Sequence, residues 1–382
     1  MTTTVDGSDD NPDPWKTLIS SQSGRKSINC AFEVNQSTQD QKGALTMFHV
    51  VWPKIRWDDD LIPERSGLGS TEDITAHFFS HPSEIPSDLL ASCDALVGPP
   101  IPLDMMDSIE NCKIYVKPAV GFDEVDLPAW SKLGIPVCNT PDYGTREVAD
   151  HAMALLLTLS KSIAFHDESL RQDPVGNWRP ALNPYGQRLS TQTVGIVGLG
   201  RIGTAAALRL KAFDMDVQFF DPFKPNGYEL ALGIKRVDSL ETLMATSDIV
   251  TLHLPLSEAT HHLIDASVLA AAKPGLILIN TARGPIVDID ALHDGLKSNQ
   301  ILAAGLDVLP DEPANLEKPL IRAWRDGEDW LKHRLVITPH SAFFTPQSMF
   351  DIRNFSAVTA AKYLRTGRLE NCVNEHLLTH KR

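Results

Sequence analysis

The stretch Thr193-Val-Gly-Ile-Val-Gly198-Leu199-Gly200-Arg201-Ile202-Gly203 decides the fold. A β-branched run ends there in a Gly-x-Gly-x-x-Gly turn and opens directly into Thr204-Ala-Ala-Ala-Leu208-Arg-Leu-Lys-Ala212. Strand, glycine turn and helix in that order are the context in which a dinucleotide pyrophosphate is held. Gly198 lets the chain turn tightly after the strand, Gly200 removes a side chain that would collide with the pyrophosphate, and Gly203 lets the helix pack close on the sheet. Leu199, Arg201 and Ile202 supply the backbone between them, and the helix N-terminus offers free amides to phosphate. A second apolar run, Asp216-Val-Gln-Phe-Phe-Asp221, stops at a carboxylate about 20 residues beyond the glycines, where a ribose 2′-hydroxyl needs an acceptor. A carboxylate there repels a 2′-phosphate, so NAD is favoured over NADP.

The chain has 382 residues, enough for two domains with a ligand cleft between them. A formal charge of −14 argues against a surface for nucleic acid or anionic membrane, which needs clustered Lys and Arg. Cys30, Cys93, Cys112, Cys138 and Cys372 are odd in number and lack paired-ligand spacing, which suits reduced thiols and points to neither a disulfide framework nor a metal site. No basic-then-apolar leader is visible, and no apolar run approaches the roughly 20 residues of a membrane span. The expectation is a soluble cytoplasmic protein.

Residues 1–43 are polar without a sustained apolar period and read as a disordered extension. From 44 to 145 the short apolar runs Leu45–Trp52, Ile74–Phe79, Ala95–Val97, Lys113–Val116 and Ile135–Cys138 predict a small flavodoxin-like α/β domain, the first part of a substrate domain. Thr145–Leu159 then takes helical spacing, with Val148, Ala152, Leu155, Leu156 and Leu159 on one face and Thr145 placed to cap it. Residues 146–340 read as the NAD-binding domain. Its six strand candidates are Thr193–Val197, Asp216–Phe220, Asp248–Leu254, Leu276–Thr281, Ile301–Val308 and Leu335–Thr338, and intervening helices imply a doubly wound, six-stranded parallel sheet of Rossmann type. Over 341–382, Thr345-Pro346 predicts a helix start, Met349, Ile352, Phe355 and Val358 its buried stripe, and Gly367 its stop. This tail is expected to return to the first domain.

In an open parallel sheet, ligands bind at the carboxyl ends of the strands. Three such ends carry chemistry: Asn280-Thr281-Ala282-Arg283-Gly284, whose guanidinium suits a carboxylate; Leu306-Asp307 followed by Glu312-Pro313; and Thr338-Pro-His340. His253, in Thr-Leu-His-Leu-Pro, also ends a strand, but there the backbone is expected to line the cofactor.

Together with the glycine turn, these ordered segments resemble the D-isomer-specific 2-hydroxyacid dehydrogenase family. Asp221-Pro222, His261-His-Leu-Ile264 and Asn371-Cys-Val-Asn374 look closest to the branch that contains the C-terminal-binding proteins. The resemblance implies that Arg283 holds the substrate carboxylate and carbonyl, that His340 is the general acid/base and that Glu312 hydrogen-bonds His340. It implies backbone amides near Val120 and Gly121 gripping the carboxylate, with Lys117 approaching the same end. It also implies a cofactor lined by Leu254, Pro255, Thr260, Thr281, Ala282, Arg283, Asp307 and His340, and a homodimer built on the helix near residues 146–165. The corepressors have a tryptophan three residues after the histidine, where this chain has Phe343.

Reduction of a 2-keto acid needs a hydride and a proton, and the protein must supply the proton. A carboxylate beside His340 would keep one available. Formate oxidation moves no substrate proton, and that branch has Gln where Glu312 stands, so formate is disfavoured. The alternative to an enzyme is an NADH-responsive dimeric scaffold of the corepressor kind, against which the complete Arg283, Glu312 and His340 set argues. Tyr143, Phe343, Trp324 and Trp330 hint at an aromatic pocket. The segment between Pro313 and Leu335 reads as an insertion able to form part of the cleft wall.

Overall fold

The computed structural model describes residues 47–55, 60–179, 186 and 188–379. The expectation for residues 1–43 lies outside them. Five strands, β1 (Phe48–Trp52), β2 (Ile74–Phe78), β3 (Ala95–Val97), β4 (Ile114–Lys117) and β5 (Val137–Asn139), form a sheet in the order β2-β1-β3-β4-β5. Every pair is parallel. The order 2-1-3-4-5 is the flavodoxin-like arrangement. β3, β4 and β5 are buried along their whole length, as parallel strands covered by helices must be, while the edge strand β2 fully buries only Ile74.

The second sheet contains β6 (Thr193–Val197), β7 (Asp216–Phe220), β8 (Lys235–Arg236), β9 (Ile249–Leu252), β10 (Leu276–Asn280), β11 (Ile301–Leu306) and β12 (Leu335–Ile337). Its order is β12-β11-β10-β9-β6-β7-β8, again all parallel. Strand order reverses between β6 and β9, and the crevice for a ligand opens outside their carboxyl ends. Seven strands replace the six expected from sequence. The addition is β8, two charged residues at the sheet edge that no apolar run could announce.

The helix Thr145–Ser160 buries Val148, Ala152, Leu155, Leu156 and Leu159, as its spacing requires. Thr145 does not cap it. Gly144 occupies the cap position without a side-chain bond, and the buried Thr145 hydroxyl has no hydrogen-bond partner.

The helix Pro346–Thr366 starts as expected, with Thr345 and Ser348 in a reciprocal capping box, and stops at Gly367 in the left-handed region. Its buried face differs from the expected stripe: Ser348, Ile352, Ser356, Ala357, Ala360 and Ala361 face inward, while Phe355 and Val358 are exposed. Close approach is the reason. A Cβ on Gly67, in the helix Ile62–Leu68, would lie 2.4 Å from the Asn354 carbonyl oxygen. Ala357, Ala360 and Ala361 join the core of the first sheet beside Val50, Ala95 and Ile114. A buried pair, Arg353 Nε to Glu64 Oε1 at 2.6 Å, pins the C-terminal helix to the helix Ile62–Leu68.

The segment between Pro313 and Leu335, expected to form part of the cleft wall, packs against the core of the second sheet. Its helix Pro319–Arg325 contributes Leu320, Ile321 and Ala323 to the second core, alongside Leu331 and the half-buried Trp330. Trp330 packs edge-on to His293 of the helix Ile289–Lys297. The buried Arg334 guanidinium donates to the carbonyls of Leu296, Ile301, Leu302 and Trp330, fixing the insertion to the sheet edge. Among the described residues no single helix is long and apolar enough to cross a membrane.

Candidate active site

The glycine turn has the geometry its sequence calls for. Gly198 has φ +87°, and a Cβ there would meet the His253 carbonyl oxygen at 2.6 Å. A Cβ on Gly203 would fall 2.1 Å from the Gly198 carbonyl oxygen, so the helix Arg201–Ala212 sits directly on the turn. A Cβ on Gly200 would touch nothing within 4 Å. That open space leaves room for a ligand to approach the backbone.

Asp221 accepts from Leu199 N–H at 2.8 Å and from Phe223 N–H at 2.9 Å, so the acid at the end of β7 is braced against the turn. Arg201 pairs with Asp142 at 2.8 Å, linking the turn to the segment after β5. At the end of β10, Asn280 accepts from Ala282 N–H at 3.0 Å and donates to the Arg283 carbonyl at 2.9 Å, shaping the turn that carries Arg283. The Thr281 hydroxyl is buried there without a hydrogen-bond partner. An orphaned hydroxyl at a carboxyl end of the sheet that also carries the open glycine turn fits a dinucleotide whose polar groups complete the site. Thr260 is engaged within its own loop, accepting from Ser257 N–H at 2.8 Å and donating to the Pro255 carbonyl at 2.7 Å, with Leu254 half-buried against the core beside it.

Arg283 is held on two edges. Nε donates to Asp123 Oδ1 at 2.9 Å, and another guanidinium nitrogen donates to the Ala282 carbonyl at 2.8 Å. The remaining amino group faces Gly121 so closely that a Cβ there would lie 1.3 Å from it. The loop behind this contact is fixed by Asn139, whose side chain donates to the Val120 carbonyl at 2.7 Å, and by Thr140 N–H on the Ala119 carbonyl at 3.0 Å. Lys117 is buried and its ammonium pairs with Glu124.

His340 lies at the end of β12 with φ +51°. Its Nδ1 is 2.7 Å from Glu312 Oε2, and the other oxygen, Oε1, accepts from Leu309 N–H at 3.0 Å. The turn bearing His340 is clamped by Asp307, which is 1% exposed. One Asp307 oxygen accepts from the Thr338 hydroxyl at 2.5 Å and Ser341 N–H at 2.9 Å, the other from Ala342 N–H at 2.9 Å. Expected along the cofactor, this carboxylate is spent on the histidine's turn. His151, from the helix Thr145–Ser160, reaches the same cluster at 2.9 Å from the Thr338 hydroxyl.

Phe343 meets His340 and Tyr143 edge-on, at 6.1 and 6.0 Å between ring centres. Tyr143 is 7% exposed, and burial holds its phenol protonated, pushing its pKa up to about 12 against the pull of the Arg283 charge. Of the other two aromatics of the expected pocket, Trp330 packs on the second core and Trp324 is exposed. Sequence reasoning missed Asp123, Asp142, Asn139 and His151. Their sole signal was position near strand ends or on the connecting helix, and their partners are distant in the chain.

A carboxylate on Nδ1 of a histidine leaves Nε2 free to exchange a proton, and a braced guanidinium nearby can hold an anion. With the open glycine turn, these groups suit an oxidoreductase that acts on 2-hydroxy acids through a nicotinamide dinucleotide. A family model described as D-isomer specific 2-hydroxyacid dehydrogenase, NAD binding domain, matches residues 153–342. A glyoxylate reductase of Korarchaeum cryptofilum (strain OPF8) is 35% identical over 292 residues, 75% of this chain and 84% of the relative. Among solved structures, an NADPH-dependent glyoxylate/hydroxypyruvate reductase from Sinorhizobium meliloti with NADP and malonate is similar at TM-score 0.73 and 26% identity, covering 88% of this chain and 99% of that one. A D-lactate dehydrogenase from Aquifex aeolicus with NAD and lactic acid is similar at TM-score 0.67 and 26% identity, covering 83% and 95%. The chain belongs to the D-isomer-specific 2-hydroxyacid dehydrogenase family.

Proposed function

We propose that the protein is an NAD-dependent reductase of small 2-keto acids, working reversibly on the matching D-2-hydroxy acids, with His340 as acid/base. The observation that carries this reading is the His340 Nδ1–Glu312 Oε2 contact of 2.7 Å. A proton shared on that side leaves Nε2 to give a proton to the substrate oxygen in reduction and to take it back in oxidation. The nicotinamide, when bound, supplies or accepts the hydride.

Gly198, Leu199, Gly200, Arg201, Ile202 and Gly203 hold the pyrophosphate, and Asp221 takes the ribose hydroxyls. Leu254, Pro255, Thr260, Thr281 and Ala282 line the remaining length. The Asp221 carboxylate, already braced by two amides, disfavours a 2′-phosphate and supports NAD over NADP. Arg283 and the amides near Val120 and Gly121 grip the substrate carboxylate. Tyr143 and Phe343 form an aromatic wall beside His340, and the buried, protonated Tyr143 hydroxyl is a further donor toward the anion that Arg283 holds.

The first sheet with the returning C-terminal helix is the substrate half, and the second sheet is the cofactor half. Exposed Ile163, Val175 and Trp178, just beyond the helix Thr145–Ser160, supply apolar surface for a homodimer. The names of the relatives, glyoxylate reductases among them, support small keto acids as the first substrates to try. The test is an initial-rate comparison of glyoxylate, hydroxypyruvate, pyruvate and phenylpyruvate with NADH and with NADPH. Turnover with NADH that disappears in His340→Ala supports the reading. Absence of turnover on all four with either cofactor opposes it.

A further inference from the structure

Four of the five cysteines lie among the described residues, and they form two pairs of different character. Cys93 and Cys112 are both fully buried, and each thiol donates to a backbone carbonyl, Leu90 and Ile114 respectively. Cys138 and Cys372 instead face each other across an isolated antiparallel bridge between β5 and the C-terminal tail. That bridge is flanked by Asn139 N–H on the Asn371 carbonyl at 3.1 Å and Val373 N–H on the Val137 carbonyl at 2.8 Å. The two cysteines are therefore a non-hydrogen-bonded pair, the arrangement in which Cα atoms sit about 4.5 Å apart and side chains are closest. A disulfide spans Cα separations of about 4.4–6.8 Å. That range takes in the spacing of such a pair, and the Cys372 thiol, 3.3 Å from Asn374 Oδ1, has a weak bond there to give up. Cys138 is fully buried while Cys372 is half-buried, so a solute can reach the second without reaching the first.

We propose that Cys138 and Cys372 are a reversible thiol oxidation site, converted to a disulfide by hydroperoxides. The Cys372 thiolate attacks one peroxide oxygen, the O–O bond breaks, and hydroxide leaves and takes a proton as water, giving a sulfenic acid on Cys372. The Cys138 sulfur then attacks that sulfur, its S–O bond breaks, and the hydroxyl departs with the Cys138 proton as a second water. Two thiols lose two electrons and two protons, and hydrogen peroxide becomes two waters. Cys372 is the half-buried thiol that a peroxide meets first, which makes it the attacker and the fully buried Cys138 the resolving partner; the Cys372 contact and burial also hold the Cys138 thiol protonated. The bond would fasten the C-terminal tail to β5 one residue before Asn139, whose side chain carries the Val120 carbonyl of the substrate loop.

The experiment uses the full chain with Cys30→Ser, leaving the four described thiols. Protein is treated with hydrogen peroxide, unreacted thiols are alkylated, and intact mass and linked peptides are read. A loss of two mass units that maps to a Cys138–Cys372 peptide, is reversed by dithiothreitol and is absent in Cys372→Ser is the expected result. Cys372→Ser is nearly isosteric at a half-buried position, and its fold is checked by its melting curve. A disulfide mapping to Cys93–Cys112, no linked peptide at all, or a stable Cys372 sulfenic acid trapped by dimedone with Cys138 still reduced would each overturn the proposal. None of these readouts depends on the catalytic reading.

Discussion

Asp123 holds Arg283 across 160 positions of sequence, its Oδ1 2.9 Å from the guanidinium Nε. The acid belongs to the loop after β4 and the arginine to the turn after β10, so the bond ties the end of one sheet to the end of the other. With Nε and one amino group engaged, the guanidinium cannot swivel, and its unspent edge is aimed past Gly121. Asp123→Asn keeps an acceptor but removes the charge-assisted bond. KM for a 2-keto acid should rise about tenfold, in line with losing a bond worth roughly 1.5 kcal/mol, with kcat changed less. Steady-state kinetics check this, and an unchanged KM would remove Asp123 from positioning Arg283.

Gly121 offers a test of the same contact from the other side. In Gly121→Ala the new methyl would lie 1.3 Å from the guanidinium nitrogen, so Arg283 must give way, whereas nothing in the first sheet's core is touched. The expected outcome is at least a hundredfold fall in kcat/KM with a melting temperature close to that of the parent. A variant of parental activity would mean that Arg283 does not work from this position.

Glu312 is the next group whose removal separates geometry from charge. Glu312→Gln keeps a side chain of the same length beside His340 Nδ1 but no carboxylate to stabilise a proton there. A drop in kcat of about 10²-fold in both reaction directions is expected, within the range for losing acid–base catalysis, with cofactor affinity unchanged. Single-turnover rates and NADH titration by fluorescence separate the two effects.

Much of this arrangement was legible in the residues. All the apolar runs read as strands became strands, because sequences such as Leu276-Ile-Leu-Ile-Asn280 are buried on both faces and need no partner to announce themselves. β8 was invisible because its two residues, Lys235 and Arg236, are charged and give no apolar run to mark a strand. Phe355 and Val358 misled because hydrophobicity was taken as the guide to the buried face. Packing distance decided it, and at this separation alanine and serine fit where phenylalanine does not. The chemistry-bearing side chains stood out at strand ends, yet their supports did not. Asp123, Asn139 and the clamp of Asp307 on the His340 turn rest on pairings made only when the two sheets fold.

Asp221 offers a test of cofactor choice. Because its carboxylate accepts two backbone amides, replacement by a small residue would loosen the turn as well as remove charge. Asp221→Asn is the cleaner change, since it retains one acceptor. The ratio of kcat/KM for NADPH over NADH should rise about tenfold, mostly through a higher KM for NADH, and an unchanged ratio would mean that discrimination lies elsewhere.

His253 ends β9 beneath the glycine turn, its Nε2 3.0 Å from the Thr251 hydroxyl, and burial lowers its pKa from 6.5 to about 4. The fold therefore favours the neutral ring. An unfolded chain takes up this proton near pH 6.5, while the folded chain refuses it until about pH 4. Stability from the neutral ring is complete above pH 6.5 and is withdrawn as pH falls toward 4, by up to about 3 kcal/mol and less where solvent reaches the ring. His253→Gln cannot charge and keeps a hydrogen-bonding group toward Thr251. Melting temperatures of the two proteins measured at pH 8, 6 and 4.5 should show the parent losing ground to the variant at each step downward. A constant difference across that range would place the His253 ring in water, and the glycine turn above it would then owe nothing to its protonation state.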